Sequence, residues 1–419
     1  MHTLEQLKSG QLQGIKRLSI SQQLTEFPLE ILQLADSLEI LDLSNNQLND
    51  LPDDIAKLGK LKILFASQNC FTHLPEAIGK CPVLEMVGFK DNQITEVSAK
   101  ALPQALRWLI LTDNEIETLP EALGDRPRMQ KLALAGNNLT SLPESMAKLE
   151  KLELIRLSAN QLTEFPTQLL SLPRLAWIAF AGNPFCCNKE STSQVPQVSS
   201  SSYKMNQVLG QGASGIISHA DWVNEAYDFP EHVAVKVFKG AVTSDGYPQD
   251  ELNACLQTGF HPNLVKSIAQ VSEQDYLSLV MELIPESYFN LGLAPSLESC
   301  TRDTFKPDFS LAIADIKTIV EQMKDVFTHL HDNKVCHGDL YAHNVLVNSD
   351  NHMIFGDFGA ASTYHYLPET QQDKIKAIES RALSFFIDDL LSVCQTSDVD
   401  GNDYQTLKRV AQQAFSSVN

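Results

Sequence analysis

The first half of the chain repeats itself every 23 residues, and this period constrains the fold more than any other feature of the sequence. Within a unit the pattern is L-x-x-L-x-L-x-x-N-x-L-x-x-L-P-x-x-I, which residues 38–55 show in full. A unit this short cannot bury its own leucines, so neighbouring units must stack. The sequence therefore predicts a solenoid of about eight repeats. One apolar residue opens each unit, with a single step of 22 residues after the fourth: Ile15, Leu38, Leu61, Leu84, Leu106, Met129, Leu152 and Leu175.

Each unit is predicted to contribute one short strand and one buried asparagine. The L-x-L segment alternates as a strand does, and successive strands should lie parallel along one concave face. A helix around Leu4 and Leu7 is expected to cap the first unit, and the G-N-P-F-C-C ending at Cys187 is expected to cap the last. A buried amide can bond backbone groups of adjacent units, and one recurs in every unit after the first: Asn46, Asn69, Asn92, Asn114, Asn137, Asn160 and Asn183.

This pattern resembles the leucine-rich repeat family over about residues 15–187. The resemblance implies an α/β solenoid that serves mainly as a binding surface. An exposed apolar strip on its concave face would suggest a protein interface, either with a separate partner or with the second half of this chain. The residues that flank the strand leucines in the second to fifth units form such a strip: Ile40, Ile63, Phe65, Met86, Trp108 and Ile110.

Residues 188–202 are rich in serine and show almost no apolar periodicity. That composition is typical of a flexible tether. The sequence thus predicts a repeat domain over residues 1–187, a linker over 188–202 and a second domain over 203–419.

The second half contains a stretch, His337 to Gly359, that reads H-G-D-L-Y-A-H-N-V-L-V and, eight residues later, G-D-F-G. Asp339 and Asn344 are five positions apart, and Asp357 follows in the second string. Four further motifs precede this stretch in the chain. They are a glycine-rich run from Leu209 to Ile217, a V-A-V-K strand that ends at Lys236, a helical segment with Glu251, and the apolar strand Y-L-S-L-V-M-E-L-I over residues 276–284.

Together these motifs resemble the eukaryotic-type protein kinases over roughly residues 203–390, and repeats followed by such a domain look most like bacterial leucine-rich repeat kinases. The resemblance implies a two-lobed α+β fold. Its C-lobe is expected to be shortened, because only 29 residues follow Leu390. The resemblance also implies that Asp339 orients the attacking hydroxyl and accepts its proton, whereas Asn344 and Asp357 hold the Mg²⁺ that bridges the phosphates of ATP.

The same resemblance implies an ATP site. Lys236 would meet the α- and β-phosphates, and Glu251 would fix it in place. Asp250 is the competing candidate, and Glu251 is preferred because Leu252 and Leu256 place a helical apolar stripe beside it. The remaining implied contacts to ATP are Leu209, Gly210, Gly212, Gly215, Ile217, Ala234, Met281, Glu282, Ile284 and Leu346.

Four positions depart from the family pattern. Gly338 stands where the family usually has the arginine that pairs with a phosphorylated activation loop, so control is expected to come from elsewhere, with the repeats as the candidate source. Tyr341 and His343 stand where a cation usually neutralises the transferring phosphoryl group, and a protonated His343 could serve instead. Glu379 replaces the usual aspartate of the next helix.

The formal net charge of −20 makes nucleic acid and anionic membranes poor candidate partners. The eight cysteines show no metal-ligand spacing, and their scatter fits a reducing compartment. The start of the chain lacks the features of a signal peptide, and no run is long enough to span a bilayer. We therefore expect a cytoplasmic protein.

The favoured function is an ATP-dependent protein kinase that acts on serine or threonine, with the repeats recruiting a partner or regulating activity. A pseudokinase scaffold is the first alternative, but a decayed site normally loses Lys236, Asp339 or Asp357, and all three are present. A phosphotransferase for a small molecule is the second alternative. The trimmed lower lobe leaves it open, whereas the repeat domain favours a protein target.

Overall fold

The computed structural model of the chain describes residues 1–186, 195–212, 214–240, 242–243 and 245–416. They form two compact units: Met1–Leu175 with Asn183–Phe185, and Ala176–Gly182 with the residues from Cys186 onward. The strand segment of the last repeat thus belongs by its contacts to the second unit, although its sequence pattern belongs to the repeats. Cys187 and the first part of the predicted linker, residues 188–194, lie outside the described residues.

The first unit is a parallel arrangement of short strands behind one capping helix. Helix α1, Leu4–Lys8, begins at a capping box in which Thr3 and Gln6 exchange side-chain and backbone hydrogen bonds. Each strand pairs in parallel with the next, with Ile40 opposite Ile63, Ile63 opposite Met86, and Met86 opposite Trp108. The strands are β1 Arg17–Ser19, β2 Ile40–Asp42, β3 Ile63–Phe65, β4 Met86–Gly88, β5 Trp108–Ile110, β6 Lys131–Ala133 and β7 Leu154–Arg156.

A short 3₁₀ helix follows each strand and carries the chain back to the next unit. In six of the seven, the carbonyl of the proline that precedes the helix accepts the first of its hydrogen bonds, as between Ile55 and Pro52 at 2.9 Å. The 3₁₀ helices span Leu29–Leu34, Asp53–Lys57, Glu76–Lys80, Ala99–Ala101, Glu121–Asp125, Glu144–Lys148 and Thr167–Ser171.

The asparagine of each unit bonds to two repeats at once, as its recurrence predicts. Asn69 accepts a hydrogen bond from the backbone N–H of Leu48 at 2.9 Å and donates to the carbonyls of Leu43 at 3.0 Å and Ala66 at 3.1 Å. Asn160 repeats this arrangement four units later. These amides satisfy backbone groups that the short strands leave unpaired.

The predicted concave strip is only partly exposed. Ile63 and Met86 are buried, at 7% and 1% exposure, whereas Phe65, Trp108 and Ile110 are half-buried. Side chains on neighbouring strands of one face pack against one another. The ring of Phe65, for example, lies over Gly88, where an added Cβ would be 2.7 Å from it.

The second unit contains a small lobe built on a five-stranded antiparallel sheet. The strands are β9 Tyr203–Gln211, β10 Gly215–Trp222, β11 His232–Phe238, β12 Ser267–Glu273 and β13 Tyr276–Glu282. Their order across the sheet is β12-β13-β11-β10-β9. Strand β8, Trp177–Ala179, precedes them and also lies in this unit. Helix α2, Pro248–Thr258, starts with proline at its first position and ends at Gly259, whose φ is +69°.

The described end of the predicted tether is ordered against this sheet. Val198 is buried, its N–H donates to the carbonyl of Gln270 at 2.9 Å, and the N–H of Gln270 donates to the carbonyl of Pro196 at 3.0 Å. A 3₁₀ helix, Ser200–Ser202, then leads into β9. Residues 195–202 therefore extend the sheet, because an edge strand offers unpaired backbone groups that even a serine-rich segment can bond.

The large lobe is mainly helical. Helix α3, Ile313–Asp332, buries a stripe at helical spacing, as its sequence predicts. Helix α4, Glu369–Ser392, begins directly after Pro368, and helix α5, Asn402–Ser416, packs on it. Short strands connect these helices: β14 Phe289–Asn290, β15 Val335–Cys336, β16 Val345–Val347, β17 Met353–Phe355 and β18 Ser362–Thr363. Among the described residues, the helices are all too short or too polar to cross a bilayer.

Candidate active site

A cleft of about 1020 Å³ lies between the two lobes of the second unit. The glycine-rich run, the end of β11, the start of the segment after β13 and the strands β16 and β17 all contribute to its walls. Asn344, Asp357, Lys236 and Glu251 line it as well. The structure also brings together there the other residues for which the sequence implied a contact to ATP: Leu209, Gly210, Gly212, Gly215, Ile217, Ala234, Met281, Glu282, Ile284 and Leu346.

Lys236 and Glu251 form an ion pair at the back of the cleft. Lys236 extends from β11 and Glu251 from α2, and both side chains are buried. Burial alone would lower the pKa of Lys236, but the carboxylates of Glu251 and Asp357 outweigh burial and raise that pKa. The lysine is therefore charged inside the cleft. Among the described residues, the alternative partner Asp250 forms no ion pair, and burial raises its pKa to about 6.

Asp339 lies beside the cleft in the loop between β15 and β16. The amide nitrogen of Asn344 donates to the carboxylate of Asp339 at 2.9 Å and to its carbonyl at 3.0 Å. Asn344 ends a 3₁₀ turn, Ala342–Asn344, that folds the loop back on itself. The five-residue spacing seen in the sequence thus corresponds to one closed turn with both side chains on the same side.

Asp357 and Phe358 point in different directions from one turn. Asp357 has φ +57°, a left-handed conformation that aspartate tolerates better than most residues, and its side chain is exposed in the cleft. Phe358 is buried against the ring of His337, with centroids 4.8 Å apart. His337 also stacks on Phe355 at 4.0 Å. These aromatic contacts fix the backbone on both sides of Asp357.

Two buried carboxylates hold the loop that carries Asp339. Glu379 of α4 accepts a hydrogen bond from the backbone N–H of His337 at 2.7 Å and contacts His331 at 3.0 Å. Asp303 accepts one from the N–H of Ala342 at 2.5 Å and contacts Nδ1 of His343 at 3.0 Å. Glu379 was identified from the sequence as a departure from the kinase pattern. Asp303 was not identified, because it lies in a stretch without a recognisable motif.

The environment of His343 favours its protonated form. Burial lowers the pKa of this imidazole, but the hydrogen bond to Asp303 and the charges of Asp303, Asp339 and Asp357 outweigh it, so the pKa is raised. His343 also lines the cleft. The site can therefore supply a cation close to Asp339.

The side chains in the cleft fit a nucleotide polyphosphate and a divalent cation. The carboxylate of Asp357 and the amide of Asn344 offer the oxygen ligands that hard divalent cations prefer. The Lys236 ammonium is the matching charge for phosphate oxygens, and the glycines of residues 210–215 let the backbone approach closely.

Comparison with known families gives two matches in separate parts of the chain. The model described as protein tyrosine and serine/threonine kinase matches residues 203–386. The leucine-rich repeat model matches residues 36–94 and 127–185.

The relatives named here each match less than half of this chain. Fibroblast growth factor receptor 1 of Xenopus laevis is 27% identical over 176 residues, which are 39% of this chain and 21% of the receptor. Cell division control protein 2 homolog 3 of Trypanosoma brucei brucei is 27% identical over 182 residues, 43% of this chain and 53% of that protein. The serine/threonine-protein kinase PITSLRE of Drosophila melanogaster is 30% identical over 141 residues, 32% of this chain and 14% of that kinase. The chain thus spans about half the length of these curated relatives or less.

Among solved structures, a leucine-rich repeat protein of Leptospira interrogans is 33% identical in sequence. The match covers 42% of this chain and 45% of that protein, with a TM-score of 0.40.

Proposed function

Because the chain joins leucine-rich repeats to a protein kinase domain, we propose that it is an ATP-dependent protein kinase that phosphorylates serine or threonine hydroxyls. The observation that carries this proposal is the convergence of three elements on one cleft: the Lys236–Glu251 ion pair, the Asp339–Asn344 pair and the exposed Asp357. The relative named as a serine/threonine-protein kinase supports the choice of hydroxyl.

Each group has a role that its geometry supports. Lys236, held by Glu251, binds the α- and β-phosphates, while the residues from Leu209 to Ile217 cover the nucleotide. Asp339 accepts the proton of the attacking hydroxyl, and Asn344 orients its carboxylate. The adenine lies between Ala234 and Leu346, with Met281 at its edge and the backbone of Glu282 and Ile284 as its hydrogen-bonding partners.

Asp357 and Asn344 would hold the metal ion, which we take to be Mg²⁺. When bound, the ion would neutralise phosphate charge and orient the γ-phosphoryl group. His343 adds a protonated imidazole near Asp339, in the place of the cation that the family usually carries on this loop. Catalysis by this set is positioning and charge stabilisation, which needs fixed side chains more than reactive ones.

The repeats are proposed to bind a partner protein on their concave face. The half-buried Phe65, Trp108 and Ile110, beside Ile63 and Met86, form the apolar strip that supports this role. The net charge of −20 argues for a protein partner and against nucleic acid. We place the protein in the cytoplasm, which the scatter of its cysteines supports.

Transfer from labelled ATP tests the proposal directly. The full chain is incubated with ATP, Mg²⁺ and a generic protein acceptor, in parallel with Asp339→Ala and Asp357→Ala. We expect incorporation into the chain itself or the acceptor that both variants lose. Absence of incorporation with several divalent metals would contradict the proposal and favour a scaffold in which the repeats carry the function. Incorporation into a small molecule but never into protein would favour the other alternative.

A further inference from the structure

The loop that carries Asp339 is packed against residues 177–181, which the sequence pattern assigns to the last repeat. We name these residues the repeat-end segment; it contains β8 and belongs to the second unit by its contacts. The chain leaves the first unit at Leu175 and returns to it at Asn183. The segment is therefore an insertion of repeat sequence into the kinase domain.

Trp177 makes the central contact. Its indole stacks on Tyr341, two residues after Asp339, with centroids 4.9 Å apart and planes 5° from parallel. It also stacks on Phe385 of α4 at 5.1 Å. Its Nε1–H donates to the carbonyl of Leu340 at 2.9 Å, and the whole side chain is 1% exposed. A flat, fully buried ring thus fixes both residues that follow Asp339.

Gly338 leaves the space that the repeat-end segment occupies. Its φ is +70°, and an added Cβ would lie 2.4 Å from the carbonyl oxygen of Ile178 and 3.0 Å from that of Ala360. Any larger side chain, arginine included, would displace the repeat-end segment. The absence of an arginine at position 338 is therefore what allows the repeat-end segment to pack against this loop.

The same segment holds the stretch that follows Gly359. The Oγ of Ser362 accepts hydrogen bonds from the backbone N–H of Phe180 at 2.9 Å and from that of Ala181 at 3.1 Å. Ser362 and Tyr364 are fully buried, and Tyr366 donates its hydroxyl to the sulfur of Cys186 at 3.1 Å. The hydroxyls of Ser362, Tyr364 and Tyr366 are thus either buried or already hydrogen-bonded, so they are poorly placed to be phosphorylated.

From these contacts we propose that the repeat-end segment positions the loop that carries Asp339, with Trp177 as the main positioning residue. We also propose that it replaces regulatory phosphorylation of residues 360–368, which follow Gly359. Its contacts on Leu340 and Tyr341 hold Asp339 in line with the cleft, while those on Ser362 hold residues 360–368 in place. The kinetic consequence rests on the proposed kinase activity. The structural consequence, a loop fixed by Trp177, does not.

The experiment uses the full chain and three variants. Trp177→Ala removes the stacking and the hydrogen bond, whereas Trp177→Phe keeps one aromatic ring and loses the N–H donor together with the second ring of the indole. Trp222→Phe is the matched control, because the indole N–H of Trp222 also donates to a carbonyl, that of Asn224 at 2.8 Å, on the distant small lobe. Two readouts are measured: kcat with KM for ATP, and amide hydrogen exchange of the peptide that spans residues 337–344.

We expect Trp177→Phe to lower kcat about tenfold and Trp177→Ala about a hundredfold, with KM for ATP within about twofold of the wild type. Exchange of the 337–344 amides should accelerate by similar factors, and Trp222→Phe should change neither readout. Wild-type exchange in both Trp177 variants would overturn the proposal, whether or not the chain transfers phosphate. If the wild type itself fails to transfer phosphate, the proposed function fails, and exchange alone decides the positioning role.

Phosphatase treatment tests the proposal that the repeat-end segment replaces phosphorylation. The treated wild-type chain, shown by mass spectrometry to carry no phosphate on residues 360–368, should keep its kcat. A loss of about tenfold or more after treatment would overturn the claim that the segment replaces phosphorylation.

Discussion

The amide nitrogen of Asn344 donates to both the carboxylate and the backbone carbonyl of Asp339, at 2.9 and 3.0 Å. One nitrogen makes both bonds, so the amide oxygen of Asn344 is the atom that a metal ion would use. The residue thus links the proposed proton acceptor to the proposed metal site. Removing it should affect both.

Replacing Asn344 by alanine should lower kcat about 10- to 100-fold and raise the Mg²⁺ concentration needed for half-maximal rate. Asn344→Asp keeps an oxygen ligand but places a second negative charge beside Asp339. It should therefore retain metal affinity and still lose rate. Mg²⁺ titrations of the initial rate distinguish the two effects. Equal Mg²⁺ dependence in the wild type and Asn344→Ala would contradict the metal role.

The rate should fall as pH rises through the raised pKa of His343, because the imidazolium is the form that we propose to act in transfer, and it predominates only below that pKa. The same protonation contributes folding stability that is fully present below the unfolded pKa of about 6.5 and is lost as pH rises through the folded pKa. A pH profile of kcat measures the effect. His343→Gln should lower kcat and abolish this limb, whereas His343→Lys should extend the plateau to higher pH.

Asp303 provides the control for that profile. Asp303→Asn keeps an oxygen for the N–H of Ala342 but removes the charge that faces His343. The descending limb should therefore move to lower pH while the loop stays in place. A limb at the same pH in both proteins would show that another group titrates.

Much of this molecule follows from sequence period and motif spacing. The family models confirm both resemblances, to the leucine-rich repeats and to the protein kinases. The strand register, the asparagine ladder and the buried stripe of α3 all appear where the pattern predicts them. These features are local or strictly periodic, so neighbouring residues specify them without reference to the rest of the chain.

Contacts between residues far apart in the chain could not be predicted from the sequence. Trp177 reads as one more concave position of a repeat, and only the fold brings it 4.9 Å from Tyr341. Asp303 lies in a stretch without periodicity, yet it holds His343. Residues 195–202 have the composition of a tether but bond the sheet edge near Gln270. The composition of a segment indicates how much conformational entropy is lost when the segment becomes ordered. It does not indicate which distant residues the segment will contact, because that depends on the tertiary structure.

Trp108 is predicted to dominate binding on the concave face. Its ring is half-buried under the ammonium of Lys131, 4.3 Å from the ring centre, beside Met86 and Ile110. Aromatic residues in such settings often carry much of an interface's energy. Trp108→Ala should weaken capture of the partner at least about tenfold in a quantitative pull-down with the full chain. Val83→Ala, at an exposed apolar position between repeats, should not. Equal capture by both variants would exclude the strip as the interface.

The asparagine ladder should account for a measurable part of the stability of the repeats. Asn160 is 1% exposed, accepts from the N–H of Leu139 at 3.1 Å and donates to the carbonyls of Leu134 at 2.9 Å and Leu157 at 3.0 Å. Asn160→Ala removes the acceptor of the buried Leu139 N–H and one of the two amide bonds that each carbonyl accepts, so the free energy of unfolding should fall by about 2–3 kcal/mol.

Asn138 is the matched control for this change, because it lies on the preceding repeat with its side chain exposed. Asn138→Ala should alter the free energy of unfolding by less than about 0.5 kcal/mol. Urea unfolding followed by circular dichroism measures both variants. Since each repeat is stabilised by its neighbours, the Asn160 effect should appear as an earlier transition of the repeat unit. A difference between the two variants below about 1 kcal/mol would mean that water replaces the amide in the ladder.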